Sequence, residues 1–410
     1  MKTKIFIGYQ DLCSTIGEMT SAFKDMGFDV FSALHDQNNQ FDVSKVDFNI
    51  EKKTEDFFKS LQFKIQYKLF NTKAVDYIKS KLLKKAIKEC DIFILYHPSL
   101  FPDSSDLELI KKAGKKIICL LFGDDVRWYN AMLQQFASKE KPPIEYEKEY
   151  LDSLTIDKWV GYLRHVEKYA DLIIMHPDTA HMALRPYNHY YMQLDASKFP
   201  LSIPQRKTRP IVAHAPSFKK GKGTSYILKA VSELQTEGLE FEFRLMEKVP
   251  YKQVSKFYQD IDIMVVQMFG HGGGKQSYEL LSCGKVVISR MQYDEYLPHI
   301  KEECPIIDAD IYSLKEILRN TILDYNKRVK LSKIGRDYVL KYHDVNAFCK
   351  RIINALEISN TPDYIPSFYR NEYKPAENEI VDLNKWTQFV SDCKWYKNYI
   401  KPGERAGLKF

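Results

Sequence analysis

No apolar stretch of this chain approaches the ~20 residues that a membrane-spanning helix needs. Its start, MKTKIFIGYQ, does not have the architecture of a secretory signal. The expectation is therefore a cytoplasmic protein. Cysteine is sparse: Cys13, Cys90, Cys119, Cys283, Cys304, Cys349 and Cys393 include no C-x-x-C pair. That spacing argues against a zinc site and against a disulfide framework, and predicts reduced thiols, several of them in the core. There is no internal repeat and no low-complexity tract. The formal charge of +7 is modest, and no nucleic-acid partner is expected.

What is present is an ordinary globular composition, 44% hydrophobic and 28% charged, with aromatics at 13% on the high side. A chain of 410 residues exceeds what one core normally serves, so two domains of roughly 150 to 200 residues are expected. Lys4 to Gly8 and Phe28 to Phe31 read as strands around a helix that begins near Cys13. Asp91 to Tyr96 and Lys116 to Phe122 are continuous apolar runs of strand length, the pattern of parallel strands buried on both faces. Helical patterns follow over Val126 to Ser138 and Glu145 to Ala170, broken at Pro142-Pro143, then a strand at Leu172 to Met175.

The stretch from Leu194 to Pro210 carries three prolines without periodicity and reads as an interdomain linker. Beyond it strand and helix alternate again, starting with strand Ile211 to His214, helix Thr224 to Glu237 and strand Phe241 to Met246. The fold class expected is α/β, with two doubly wound Rossmann-like domains facing a cleft. Ligands of such sheets bind beyond the strand carboxyl ends. The boundaries expected are 1–195 for an acceptor-side domain, 196–345 for a nucleotide-sugar donor domain, and 346–410 for a C-terminal helical crossover and tail packing back toward the first.

The segment richest in chemical meaning is IDIMVVQMFGHGGGKQSYELLSCGKVVIS, Ile261 to Ser289. An apolar strand leads into a four-glycine cluster and then into a helix that begins at about Lys275. Glycines let backbone N–H groups approach a ligand closely, and the helix directs its positive dipole end at the same loop. The combination suits a diphosphate, and Glu279, one turn into the helix, suits the two hydroxyls of a ribose.

A second basic element, Lys219-Lys220-Gly221-Lys222-Gly223-Thr224, follows a strand and opens a helix, which lets its ammonium groups reach phosphate at the same face. The competing reading is a solvated turn. It is not a Walker motif, because Gly223 separates Lys222 from Thr224 and the upstream glycine is missing. Gly270 to Gly274 likewise lacks the spacing of a dinucleotide fingerprint.

Two Asp-x-Asp triplets, Asp260-Ile261-Asp262 and Asp308-Ala309-Asp310, read as solvated loops rather than metal ligands. His176, His181 and His189 lack supporting ligands at metal spacing. Lysines from Lys52 to Lys88 alternate with aromatic and apolar residues. Such a stretch is either a solvated helix face or a surface for an anionic membrane or an acidic acceptor.

Several motifs stand in a defined order. They are Leu194-Asp195-Ala196-Ser197-Lys198-Phe199, His214-Ala215-Pro216-Ser217 with Lys222-Gly223-Thr224, Val249-Pro250-Tyr251, and Gly274 to Glu279 with Gly284-Lys285-Val286-Val287-Ile288. Together they resemble the donor domain of family 4 of the retaining glycosyltransferases of the GT-B fold. The resemblance covers about Asp171 to Asp344 well. The first half joins it only loosely, through Gly8, His97 and Gly123-Asp124-Asp125-Val126-Arg127.

The resemblance implies transfer of a sugar from a nucleotide diphosphate donor, a UDP- or GDP-sugar, to a glycan or lipid-linked acceptor hydroxyl with retention, without metal or cofactor. It assigns Lys222 to the donor diphosphate, Glu279 to the ribose, and Gly272, Gly273 and Gly274, with Lys275, to the phosphates and sugar. Gly8 falls on the donor side as well. The family's acidic pair would begin at His271. Its second basic residue would fall near Ser217, for which Lys219 or Lys220 substitutes.

His97, at the end of an apolar strand, is either a contact to the donor sugar, as in similar enzymes, or a structural hydrogen-bonder. Asp124, Asp125 and Arg127 are either acceptor ligands or a charged helix cap. Alternatives for the whole chain are a sugar-nucleotide 2-epimerase on the same fold, or a catalytically degenerate nucleotide-sugar or glycan-binding protein. Surface polysaccharide or glycolipid synthesis, with peripheral contact at the inner face of the cell membrane, follows by analogy only.

Overall fold

The computed structural model describes residues 2–11, 14–35, 45–60, 67–96, 99–101, 104–123, 126, 156–180, 183–247, 251–269 and 272–357. These divide into two compact units. One takes the residues up to Tyr190 together with those from Cys349, and the other runs from Tyr191 to Phe348. Among the described residues no helix is long and apolar enough to cross a membrane.

The first unit contains β1 (Lys4–Gly8), α1 (Thr15–Asp25), β2 (Asp29–Leu34), β3 (Phe48–Asn49), α2 (Ile50–Ser60), α3 (Tyr67–Glu89) and β4 (Ile92–Tyr96). It continues with α4 (Ser105–Lys112), β5 (Lys116–Leu121), α5 (Ile156–Tyr169), β6 (Leu172–Met175) and β7 (Asn188–His189). Its described strands form a parallel sheet in the order β3-β2-β1-β4-β5-β6-β7. The apolar runs of β4 and β5 lie at the centre, and every residue of β4 is buried, as continuous hydrophobicity predicts. β3 and β7 have two residues each, too short to leave a pattern in the sequence.

The second unit contains β8 (Ile211–His214), α6 (Lys219–Lys222), α7 (Thr224–Thr236), β9 (Glu242–Leu245), α8 (Tyr251–Asp260), β10 (Ile263–Val265) and α9 (Gly274–Ser282). β11 (Val286–Ser289), α10 (Tyr293–Tyr296), β12 (Ile307–Asp308), α11 (Leu314–Leu323) and α12 (Tyr325–Tyr342) follow, and α13 (Val345–Glu357) begins in this unit. The sheet order is β12-β11-β10-β8-β9, all parallel. Successive residues of β10 serve opposite faces. Ile263 and Val265 pack with Ile227, Val231 and Leu318, whereas Met264 packs with Leu281 and Val339.

The order of this sheet reverses direction between the neighbours β8 and β10. The chain leaves β8 toward one edge and β10 toward the other, so the segments after these two strands diverge and leave a crevice at their carboxyl ends. That switch point is where doubly wound sheets bind ligands. The lysine turn follows β8 and the glycine cluster follows β10.

The proline-bearing stretch after Leu194 is fastened to the second unit rather than hanging free. Leu194 N–H donates to His343 O at 2.9 Å, and Val345 N–H returns the bond to Leu194 O at 2.9 Å. Arg336 Nη1 donates to Phe199 O at 2.9 Å, and the buried Lys285 ammonium donates to Ser202 O at 2.9 Å and Gln259 O at 3.0 Å. These bonds use carbonyls that a stretch without secondary structure leaves unsatisfied.

Cys90, Cys119, Cys283, Cys304 and Cys349 are all buried, in line with thiols placed in the core. Burial raises the thiol of Cys90 to about 11 and that of Cys283 to about 12, which keeps both protonated.

Candidate functional site

β8 ends in His214, which is buried and holds the switch point together. A carbonyl can only accept, so the imidazole Nδ1–H donates to Val265 O at 2.7 Å, and Nε2 then accepts from Thr224 Oγ1 at 2.9 Å. Burial, aided by the nearby Lys222 charge, pushes this histidine down to about 4. His214 is thus a neutral strut from β8 to the end of β10 and to the first residue of α7.

The lysine turn expected between β8 and the next helix is itself a single helical turn, Lys219–Lys222, closed by Gly223 at φ +69°. A Cβ at Gly223 would lie 2.9 Å from Met268 Cβ. Glycine is required there both by the left-handed backbone and by this contact. The close approach lets Met268 N–H donate to Lys222 O at 3.1 Å. The Lys222 side chain then reaches the neighbouring residue, where its ammonium donates to Gln267 Oε1. The other end of that amide, Nε2, donates to Gly272 O at 2.9 Å. The cationic turn and the glycine loop therefore meet, linked by one buried glutamine.

Within the loop, Gly272 and Gly274 have φ of +72° and +63°. Gly273 has right-handed backbone, but a Cβ on it would come within 2.8 Å of Ile306 Cδ1 and Ser277 Cβ. α9 begins at Gly274, one residue before the expected start, and Lys275 is half-buried in its first turn. Glu279 follows on the buried side of this helix. Its Oε2 accepts from Tyr258 Oη at 3.2 Å, and both residues are 3% exposed. Burial, with the Glu279 charge alongside, raises the Tyr258 phenol well above its usual range and keeps it a donor.

The structure joins Lys222 to the glycine loop through Gln267, and it sets Glu279 on the helix that the loop opens. Lys219 is exposed and pairs with Glu247, Lys220 and Ser217 are exposed, and among the described residues these three show no bond to Gln267, Gly272, Gly273 or Gly274. Gly8 belongs to the first unit, where a Cβ would lie 3.0 Å from the Phe6 ring and 3.3 Å from Ala33 O. His97, His271, Asp124, Asp125 and Arg127 lie outside the described residues, as do His181 and, in the basic segment, Leu61, Phe63 and Ile65.

In the Asp-x-Asp triplets Asp260, at the end of α8, is exposed, whereas the other three carboxylates differ from the solvated loops expected of them. Asp262 is buried, accepting from Ile211 N–H at 2.8 Å and from Lys207 Nζ at 3.0 Å. Asp308 accepts from Met291 N–H at 2.8 Å and from Arg290 Nη1 at 3.2 Å. Asp310 accepts from Ser313 N–H at 2.7 Å before α11. These carboxylates are taken up by backbone and cation partners because they stand at strand ends with unsatisfied N–H groups.

Gln267, Tyr258 and His214 carry roles that sequence reading did not give them. Gln267 had a usable signal, a polar residue directly after the apolar run IMVV, where burial demands a partner.

The fold, compared with solved structures, is that of GT-B glycosyltransferases. A sucrose-phosphate synthase from Thermosynechococcus elongatus is similar at a TM-score of 0.57 and 11% identity, over 87% of this chain and 98% of that one. TarM of S. aureus, in complex with fondaparinux, alpha-GlcNAc-glycerol and UDP, is similar at 0.54 and 9%, over 87% and 100%. The catalytic domain of starch synthase IV from Arabidopsis thaliana, bound to ADP and acarbose, is similar at 0.53 and 12%, over 87% and 99%. No protein-family model and no curated protein sequence matches the chain.

Proposed function

We propose that this protein transfers a sugar from a nucleotide-diphosphate sugar to an acceptor hydroxyl, with retention of configuration. The observation that carries the reading is the junction of Lys222 with the glycine loop at the switch point of the second sheet. A cation, a loop of close-approach backbone and a helix start together suit an anion such as a diphosphate. Two proteins of the same fold carry UDP or ADP, which supports a nucleoside diphosphate as the ligand.

In this reading Lys222 and the N–H groups of Gly272, Gly273 and Gly274 stabilise the charge that grows on the departing diphosphate. Lys275, at the positive end of α9, and Lys219, Lys220 and Ser217 border the same phosphates, with His271 in the loop itself. Glu279, held by Tyr258, takes the ribose hydroxyls. The acceptor enters on the face from which the diphosphate leaves, so no side-chain nucleophile is required. The family resemblance assigns His97 and Gly8 to the donor sugar. Asp124, Asp125 and Arg127 bind the acceptor, a glycan or lipid-linked hydroxyl of a surface polysaccharide or glycolipid. Asp262 and Asp308 are committed to structural partners. The leaving charge is therefore assigned to Lys222 and the loop rather than to a metal held by these aspartates.

Thermal unfolding of the full chain with UDP, GDP and ADP tests the donor site, because a ligand of the native state raises its apparent stability. A nucleoside diphosphate is expected to raise the midpoint where the free nucleoside does so far less. Equal shifts from both would sink the diphosphate assignment. Incubation with the matching nucleotide sugar, with and without acceptor sugars, then reads transfer directly, and free epimer formed without acceptor would replace transfer by epimerisation.

A further inference from the structure

Gln267 stands between the two halves of the anion site and touches both. It follows β10, is 7% exposed, and has both ends of its amide engaged. The orientation of the amide is dictated by chemistry: an ammonium cannot accept a hydrogen bond and a carbonyl cannot donate one. Turning the amide over would set donor against donor at Lys222 and acceptor against acceptor at Gly272. Its backbone carbonyl is also occupied, accepting from Arg290 N–H at 2.9 Å. The residue is thus pinned at three points, by the lysine turn, by the glycine loop and by Arg290 directly after β11.

We infer that Gln267 is a positioning residue that joins the Lys222 ammonium and the Gly272 peptide into one diphosphate-binding unit, and that its neutrality is essential. The inference rests on the donor reading above and deepens it. A neutral carbonyl orients the ammonium without cancelling its charge, so a diphosphate still meets a full cation. A carboxylate at this place would hold Lys222 more tightly and neutralise it.

The second bond acts on the loop. Gly272 O is drawn to Gln267, and in a trans peptide the Gly273 N–H lies on the opposite edge of the same plane, turned away from the glutamine. The amide therefore sets which face of the loop presents donors. Gly272 accepts the required backbone because φ +72° costs glycine little.

The test compares the full-length wild type with Gln267→Glu and Gln267→Met. Binding of inorganic pyrophosphate, UDP, GDP and ADP is measured by calorimetry beside binding of the free nucleosides, with circular dichroism as the check on folding. Gln267→Glu is expected to weaken pyrophosphate and nucleoside diphosphate binding by about tenfold or more, the loss of one charge-assisted contact. Nucleoside binding should stay within about twofold of wild type. Gln267→Met keeps the bulk and the Lys222 charge, and should give a smaller loss confined to the same ligands.

Variants that weaken nucleoside and diphosphate in parallel, or neither, overturn the positioning role. Should Gln267→Glu fail to fold, Gln267→Met carries the same comparison. A wild type that binds pyrophosphate but no nucleoside diphosphate overturns the donor reading alone. One that binds neither overturns both.

Discussion

Tyr258 on α8 donates its phenol proton to Glu279 on α9, Oη to Oε2 at 3.2 Å, in a place where both residues are almost wholly shielded from water. A buried carboxylate oxygen that loses its donor bears the full cost of desolvation, ~1–3 kcal/mol. Tyr258→Phe is therefore expected to lower donor affinity by about tenfold through a less ordered Glu279. Titration of the nucleoside diphosphate that stabilises the wild type reads this, and unchanged affinity would separate Tyr258 from the site.

Glu279→Gln keeps shape and packing but replaces an anion whose two oxygens both accept by an amide that accepts at one end and donates at the other. Nucleoside and nucleoside diphosphate binding should fall together, because the ribose is common to both, and turnover should be abolished. Retention of near-normal transfer would remove Glu279 from the ribose role.

Lys222→Ala removes the cation beside the glycine loop. On the electrostatic account of leaving-group departure, kcat/KM should drop by roughly 10²- to 10³-fold. The loss should fall on ligands with a diphosphate. Lys229→Ala, an exposed lysine of α7 paired with Glu233 one turn on, serves as the control and should behave as wild type. Equal effects from the two substitutions would mean that general surface charge, not the site, is being measured.

His214 makes stability depend on pH. Its folded value of about 4 lies below the ordinary 6.5, so between these values the unfolded chain binds the extra proton. Its contribution is fully present above pH 6.5 and is lost as pH falls toward 4, on the order of a few kcal/mol. His214→Asn, whose amide can donate to Val265 O without titrating, should flatten that part of the profile. Denaturant unfolding between pH 4 and 7 measures it, and an unchanged slope would place the titration elsewhere.

Gly223→Ala should cost more than Gly238→Ala, although both positions have positive φ. At Gly238 a Cβ meets nothing within 4 Å, so only the left-handed backbone penalty of ~1–2 kcal/mol applies. At Gly223 the Met268 contact adds ~1–3 kcal/mol and pushes the lysine turn off β10. Comparative denaturation of the two variants would show equal losses if the contact is unimportant.

Much of this architecture could be read from the chain. The apolar runs at Lys4 to Gly8, Leu172 to Met175 and Ile211 to His214 became strands with the bounds expected. A strand buried on both faces must be continuously apolar, and little else in a soluble chain looks so. The two-residue strands β3 and β7 escaped because two residues carry no period. The Asp-x-Asp triplets showed acid at a regular spacing but not its partners, since Ile211 lies 51 residues from Asp262.

The order of residues alone determined that Lys222 would follow one strand and the glycines another, because hydrophobic periodicity and glycine's freedom are local properties. Only the tertiary structure decided that these segments touch. Strand order is set by pairing between distant parts of the chain, and it is the pairing of β8 with β10 that brings Gln267 within reach of both Lys222 and Gly272. The same long-range packing turned Glu279 toward Tyr258, a partner 21 residues away that no short motif contains.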